Sequence, residues 1–451
     1  MIHTTRTQHP TAQEDRREGE VARFAPFRGW RYAPHIPLAR VLTPPYDVID
    51  ARARRMFMER HPYNIIRIIL GDPTGDLPTS PDAYGEAART LHAWQAEGIL
   101  RRDETPAFYI LRQRFHTPGG EEMERLGVIG RLLLRPWGQG ILPHEQTFPT
   151  AKADRLALLK AARAHFSPIF ALFSDADGAV RSLLREVTHA RPHATFVDDE
   201  GVEHTLWVLH APSHVDRLSA FLSSKTFYVA DGHHRYETAL NYQRWMRERH
   251  PQAPLGQPYD YAFLYVAALE DPGVTILPTH RALRPSLNID RERVLRVAAR
   301  AYDITPIPAD ERLLRWVQQL PPGESNLALV FPSGTGYKLH LRMDRPYVQE
   351  HLAAVPPPIG ELAVYHLQRF ILGPAIGIGD APAEQKRVIR FRPDTDVLLR
   401  EVREGRWGMV AFVAPTSLAQ LQAIADARLV APPKATYFYP KLPSGLVIMS
   451  V

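Results

Sequence analysis

Phe227-Tyr-Val-Ala-Asp231-Gly-His-His-Arg235-Tyr-Glu-Thr-Ala-Leu240 decides how this chain is read. Thr226 to Ala230 is a short apolar, partly β-branched run and predicts a buried strand; Gly232 marks a turn; Arg235 to Arg249 predicts a helix. Strand, glycine turn and helix in succession argue for an α/β (α+β) chain of mixed sheets with flanking helices. A helix starting at such a turn offers unpaired backbone N–H groups and the positive end of its dipole, an arrangement suited to a phosphate. His233, His234 and Arg235 can add charge-assisted hydrogen bonds. Asp231 can receive a proton or hold Mg²⁺. The plainer alternative is that Asp231 only caps the helix. His233 and His234 are adjacent and lack the i, i+4 spacing of a dedicated zinc site.

Upstream, Ile141-Leu-Pro-His144-Glu145-Gln-Thr147-Phe-Pro-Thr150-Ala-Lys152-Ala-Asp154-Arg155 gathers further chemistry into one turn-like stretch. Glu145 is placed to act as general base on a hydroxyl, Lys152 and Arg155 to meet phosphate, His144 and Thr147 to contact substrate. Asp154 is also a candidate N-cap for a helix running to Phe166. Two later segments read as site walls: Pro278-Thr-His280-Arg281 at a strand end, and Ala431-Pro-Pro-Lys434-Ala-Thr436-Tyr-Phe-Tyr439-Pro-Lys441, where Lys434 is the functional candidate.

Working outward, Phe24–Tyr32 and Val41–Ile49 carry prolines and aromatics and predict extended segments or ordered loops. Tyr63–Leu70 is β-branched and predicts a buried strand, and 82–98 an amphipathic helix. Residues 107–115 and 126–134 around Pro118-Gly119-Gly120 predict a hairpin. Strands are expected at 169–173, 205–209 and 261–269. Organisation follows as a disordered tail over 1–20, a catalytic, nucleotide-binding region over 21–284 and a C-terminal α/β region over 285–451 that contributes to the site.

The chain has 451 residues, 45% hydrophobic and 23% charged, close to the globular average. Its apolar runs are shorter than the roughly 20 residues a bilayer span needs, and no secretory h-region opens it, so cytoplasm is the expected compartment. Zero cysteines exclude disulfides, thiolate metal sites and a Cys nucleophile. Of 55 basic side chains only seven are lysine, against 48 arginines. Where lysine is kept, a compact ammonium is the chemical reason to expect. Without a helix-turn-helix, a basic stripe or an aromatic platform, nucleic acid is not the expected partner.

These segments together resemble the family known as domain of unknown function 1015. The likeness runs through Phe24-Ala-Pro-Phe27, Pro44-Pro-Tyr-Asp-Val48, Tyr63-Asn64, Pro143-His-Glu145, Asp154-Arg-Leu156, Asp231-Gly-His-His-Arg235, Leu277-Pro-Thr-His-Arg281, and Pro432-Pro-Lys434 through Lys441. The Asp-Gly-His-His-Arg element is also similar to that of the ParB/sulfiredoxin-like nucleotide-binding fold, including free-serine kinases. That resemblance implies a nucleotide-binding core of this kind, with ATP or ADP phosphates over residues 231–235, Glu145 as the acidic base and Asp231 as second carboxylate. The expected function is ATP-dependent, Mg²⁺-assisted phosphorylation of a small hydroxylated metabolite, free L-serine first. The alternatives are a nucleotide-dependent switch and a phosphohydrolase.

Overall fold

A computed structural model describes residues 23–70, 82–145, 149–332 and 334–451. The chain is mixed α/β and is organised round two large sheets. The larger has nine strands: β1 (Phe24–Ala25), β2 (Phe108–His116), β3 (Glu122–Leu133), β4 (Ile141–Leu142), β5 (Ile169–Phe173), β6 (Ala194–Val197), β7 (Glu203–Leu209), β8 (Phe227–Asp231) and β9 (Tyr261–Ala268). Their order is β4-β8-β5-β9-β3-β2-β7-β6, with β1 paired to the far end of β3. β4 with β8 and β5 with β9 are parallel; the other pairs are antiparallel.

Both faces of the sheet are covered at its centre, so the central strands β5 and β9 are apolar and buried throughout rather than alternating. In β9, Ala262, Leu264 and Val266 join Val180, Leu183, Leu218 and Tyr236 on one face. Phe263, Tyr265 and Ala267 pack on the other with Phe57, Leu91, Trp94 and the C-terminal Phe438 and Ile448.

The second sheet has six strands, all antiparallel: β10 (His280–Leu283), β11 (Tyr302–Pro308), β12 (Leu327–Val330), β13 (Thr335–Leu341), β14 (Ile389–Arg392) and β15 (Met409–Val413), in the order β11-β13-β12-β15-β10-β14. The last segment then returns to the first sheet. The Ala431 N–H donates to the His144 carbonyl at 2.8 Å and Ser444 N–H to that of Thr43 at 2.7 Å. Tyr437–Tyr439 pairs with Thr275–Leu277, and Met449–Ser450 with Ala164–His165. This strap closes the region between the sheets.

Two local expectations are corrected. Residues 63–70 form a helical turn, Ile66–Ile69, instead of a strand. Asn64 explains it: its side chain accepts from the Ile66 N–H at 3.0 Å and donates to the Arg40 carbonyl at 2.8 Å, starting a turn that buries Ile65, Ile66, Ile68 and Ile69. Local capping and burial override the β-propensity of the run. The helix expected from Asp154 spans Pro149–Ala162, so Asp154 lies within it and is not its cap. The expected tail falls outside the described residues.

Candidate functional site

β8 ends in an irregularity: Val229 faces Ala171, but Asp231 faces Phe170, so the register shifts at Ala230. A bulge of this kind re-aims the following side chain. Gly232 then takes φ +97°, and a Cβ there would stand 2.8 Å from the Arg235 Nε. The left-handed backbone and the close guanidinium together require glycine. The helix His233–Arg249 starts at once, with Gly232 at its N-cap and no side chain capping it.

Asp231 is held by two cations. Its Oδ2 accepts from Arg235 at 2.7 Å and its Oδ1 from Lys441 at 3.2 Å. Burial opposes its ionisation, but Lys441, Arg235 and Lys434 overcome that and hold the carboxyl well below the usual carboxylate range. Both oxygens are therefore engaged by cations, which Mg²⁺ at Asp231 would have to displace or share. Among the described residues no group of three or more His, Cys, Asp and Glu is placed to hold a metal ion.

The two histidines of the motif differ. His233 is 3% exposed, and its Nε2 accepts from the His144 N–H at 3.2 Å. Burial, with His144 beside it, pushes its pKa well down, which favours the neutral imidazole over the charged phosphate partner expected of it. His144 is 1% exposed. Its Nδ1 meets the Val229 carbonyl at 2.8 Å and its Nε2 the Thr436 hydroxyl at 3.0 Å, so it ties β8 to the strap and does not reach a substrate. His234, by contrast, is half-buried among charges: burial and Lys434 and Lys386 lower its pKa, opposed by Glu145 and Asp47.

Glu145 pairs in parallel with Ala431, and the Lys434 N–H approaches its Oε1 at 3.4 Å. Lys434 sits in the left-handed region at φ 56°. Burial disfavours its charge, but Glu145, Asp47 and Asp231 outweigh that and raise its pKa. Lys386, on the helix Pro382–Val388, has its pKa lowered by burial and by Lys434. Lys386, Lys434 and Lys441 are three of the seven lysines in the chain, drawn from segments far apart. Two carboxylates, Asp47 and Glu145, lie close enough to act electrostatically on His234, Lys386 and Lys434.

The remaining sequence candidates lie round this centre in supporting positions. Lys152 pairs with Glu237 at 2.5 Å, joining the helix Pro149–Ala162 to His233–Arg249. Arg155 bonds Asp154, donates to the Ile69 carbonyl at 3.0 Å and lies 4.3 Å over the Tyr46 ring. His280 is fully buried in the second sheet, its nitrogens engaged by Thr395 at 2.9 Å and the Val413 N–H at 3.2 Å, which leaves nothing for a substrate. Arg281 is buried too; it donates to the Lys434 carbonyl at 3.2 Å and so shapes the loop from behind. Thr147 lies outside the described residues. Asp47, Lys386 and Lys441 were not among the sequence candidates; the scarcity of lysine was the signal for two of them.

Residues 24–365 match the model of a family described as protein of unknown function, DUF1015. No curated protein matches the chain in sequence. Among solved structures the chain is similar to a conserved hypothetical protein from Pyrococcus furiosus, at 11% identity and TM-score 0.31, over 68% of this chain and 90% of that one. It is also similar to a free serine kinase in complex with AMP, at 10% identity and TM-score 0.32, over 68% of this chain and 89% of that one. Likeness at this level carries neither fold nor activity over to the present chain.

Proposed function

This chain belongs to the DUF1015 family, and from that premise we propose that it binds a nucleotide over Gly232–Arg235 and transfers its terminal phosphoryl group to a small hydroxylated metabolite. The observation that supports this most directly is the uncapped start of the 17-residue helix at His233 facing Lys434 and Lys386, with Glu145 beside them. Free N–H groups, a helix dipole and ammonium groups in a partly dry setting are what a transferring phosphoryl needs, since its catalysis is mostly positioning and charge neutralisation.

In this reading Glu145 accepts the acceptor's hydroxyl proton as its oxygen bonds to phosphorus, and the bond from that phosphorus to the bridging oxygen breaks to release ADP. Lys434 and Lys386 neutralise the moving charge. Asp231 works indirectly: tied to Arg235 and Lys441, it fixes the turn on which the phosphates rest. ATP rather than ADP is the first donor to test. L-serine heads the acceptors because the Asp231–Arg235 element resembles that of free-serine kinases.

The test is ATP consumption by the purified protein against a panel of hydroxy compounds, with Lys434→Ala as control. Acceptor-dependent ADP formation that is lost in the variant is the expected result. Nucleotide binding with no turnover for any acceptor would instead favour a nucleotide-dependent switch, and phosphate release without acceptor a hydrolase.

A further inference from the structure

Beside the charged cluster a cleft of about 120 Å³ opens between the 39–44 segment, the helix Ala51–Arg60 and the turn at Asp198–Glu200. Its floor is apolar: Leu42, Phe57 and Phe196 are 6, 5 and 8% exposed. Lys441 lines the cleft and also pairs with Asp231, so any occupant abuts that ion pair.

The charges round the cleft do not cancel internally. Arg60 is matched by Asp199 at 2.7 Å and Lys441 by Asp231 at 3.2 Å. Asp198 is spent on its own turn, accepting from the Glu200 and Val202 N–H groups at 2.9 and 3.0 Å and meeting His204 at 2.8 Å. The Glu200 carboxylate is left without a hydrogen-bonding or ion-pairing side chain among the described residues. Solvent reaches it, yet the surrounding protein and then Asp198 and Asp394 raise its pKa, opposed only in part by the Lys441 ammonium that Asp231 already holds. A carboxylate at the mouth of an apolar hollow is matched by a cation carrying an apolar body.

We propose that this cleft binds a small primary amine with a compact apolar body, its ammonium at Glu200 and its body against Leu42, Phe57 and Phe196. The volume sets the size: apolar cavities of about 150 Å³ take benzene, so one ring or a short alkyl chain fills this one. The site goes beyond the phosphotransfer reading and is read without nucleotide, so failure of either leaves the other standing.

The experiment is calorimetric titration of the full chain at low salt with 2-phenylethylamine, phenylacetate and 2-phenylethanol. The amine is expected to bind at least about tenfold tighter than the carboxylate, the preference one well-placed charge pair gives. Glu200→Gln should abolish that preference while leaving 2-phenylethanol unchanged, and Glu200→Lys should reverse it. Glu200 lies on an exposed turn, so both variants fold, which circular dichroism checks. No binding of the amine at millimolar concentration, equal binding of amine and carboxylate, or a preference that survives Glu200→Gln would each overturn the proposal.

Discussion

The Lys441 ammonium lies 3.2 Å from the Asp231 carboxylate across 210 residues of sequence, and Arg235 holds the other oxygen of the same carboxylate. The pair pins the C-terminal strap to the turn that opens the helix His233–Arg249. Its pH dependence has a definite sign. The carboxyl's folded pKa lies below the roughly 3.9 of an unfolded aspartate, so its contribution is complete above about pH 5 and is lost as pH falls through the folded value. Asp231→Asn should therefore be less stable than the parent chain by about 2 kcal/mol at neutral pH, with the gap closing in acid. Urea midpoints at pH 7, 5, 4 and 3 measure it, and a gap that widens on acidification would contradict the assignment.

Arg125 should matter as much as Lys441 itself. It is wholly buried, donates to the Tyr439 carbonyl at 3.1 Å and the Pro440 carbonyl at 2.7 Å, and lies 4.6 Å over Phe170; Gln113 takes the Lys441 carbonyl at 3.1 Å. The strap thus hangs from a buried guanidinium. Arg125→Met removes the donor from the Tyr439 and Pro440 carbonyls and from the Gln113 side-chain oxygen, at about 1–3 kcal/mol for each of the two that are buried. The expected result is a loss of about 2–5 kcal/mol in urea unfolding, together with a smaller Asp231 effect in the double variant, because the two act on one contact.

Much of this was legible in the sequence, and the parts that were not share a cause. The strands at 169–173, 227–231 and 261–268 could be read because each is an apolar run, the second up to Asp231, bounded by turn residues. Asp231, Glu145 and Lys434 stood out because their residue types fit one chemistry, and the fold brings the three within electrostatic reach of one another. What sequence could not give was which charges cancel. Lys152 looked available for phosphate, but its partner Glu237 is revealed only by helix packing, and Arg155 is taken by its own neighbour Asp154 and by the Ile69 carbonyl that the fold brings to it. Asp47 and Lys386 look ordinary until the fold sets them round His234. Tyr63–Leu70 misled because β-branched residues suit any buried position, and the side-chain bonds of Asn64 decided between turn and strand.

Glu145 and the helix start should separate in kinetics. If Glu145 is the base of the proposed transfer, Glu145→Gln keeps shape and removes it, and a positioned general base contributes about 10²–10⁴-fold. Turnover should fall by at least about 100-fold while nucleotide affinity changes by less than about threefold. Equilibrium binding of a fluorescent ADP analogue beside initial rates makes the comparison, and retained turnover would remove Glu145 from the chemistry.

Lys434 combines two demands that substitution can pull apart. Its φ of 56° is a backbone state that a side chain makes unfavourable by about 1–2 kcal/mol, and that glycine enters freely. The Glu145 carboxylate near its N–H and Arg281 at its carbonyl hold the residue there. Its ammonium in turn is kept charged by Glu145, Asp47 and Asp231. Lys434→Gly should therefore be more stable than Lys434→Ala by about 1 kcal/mol, although both lose the same charge and should lose nucleotide affinity equally. Urea unfolding and nucleotide titration of the two variants test this directly. Equal stability would mean that the loop relaxes out of the left-handed state once the side chain is gone, and that the strain belongs to the charge cluster rather than to the strap.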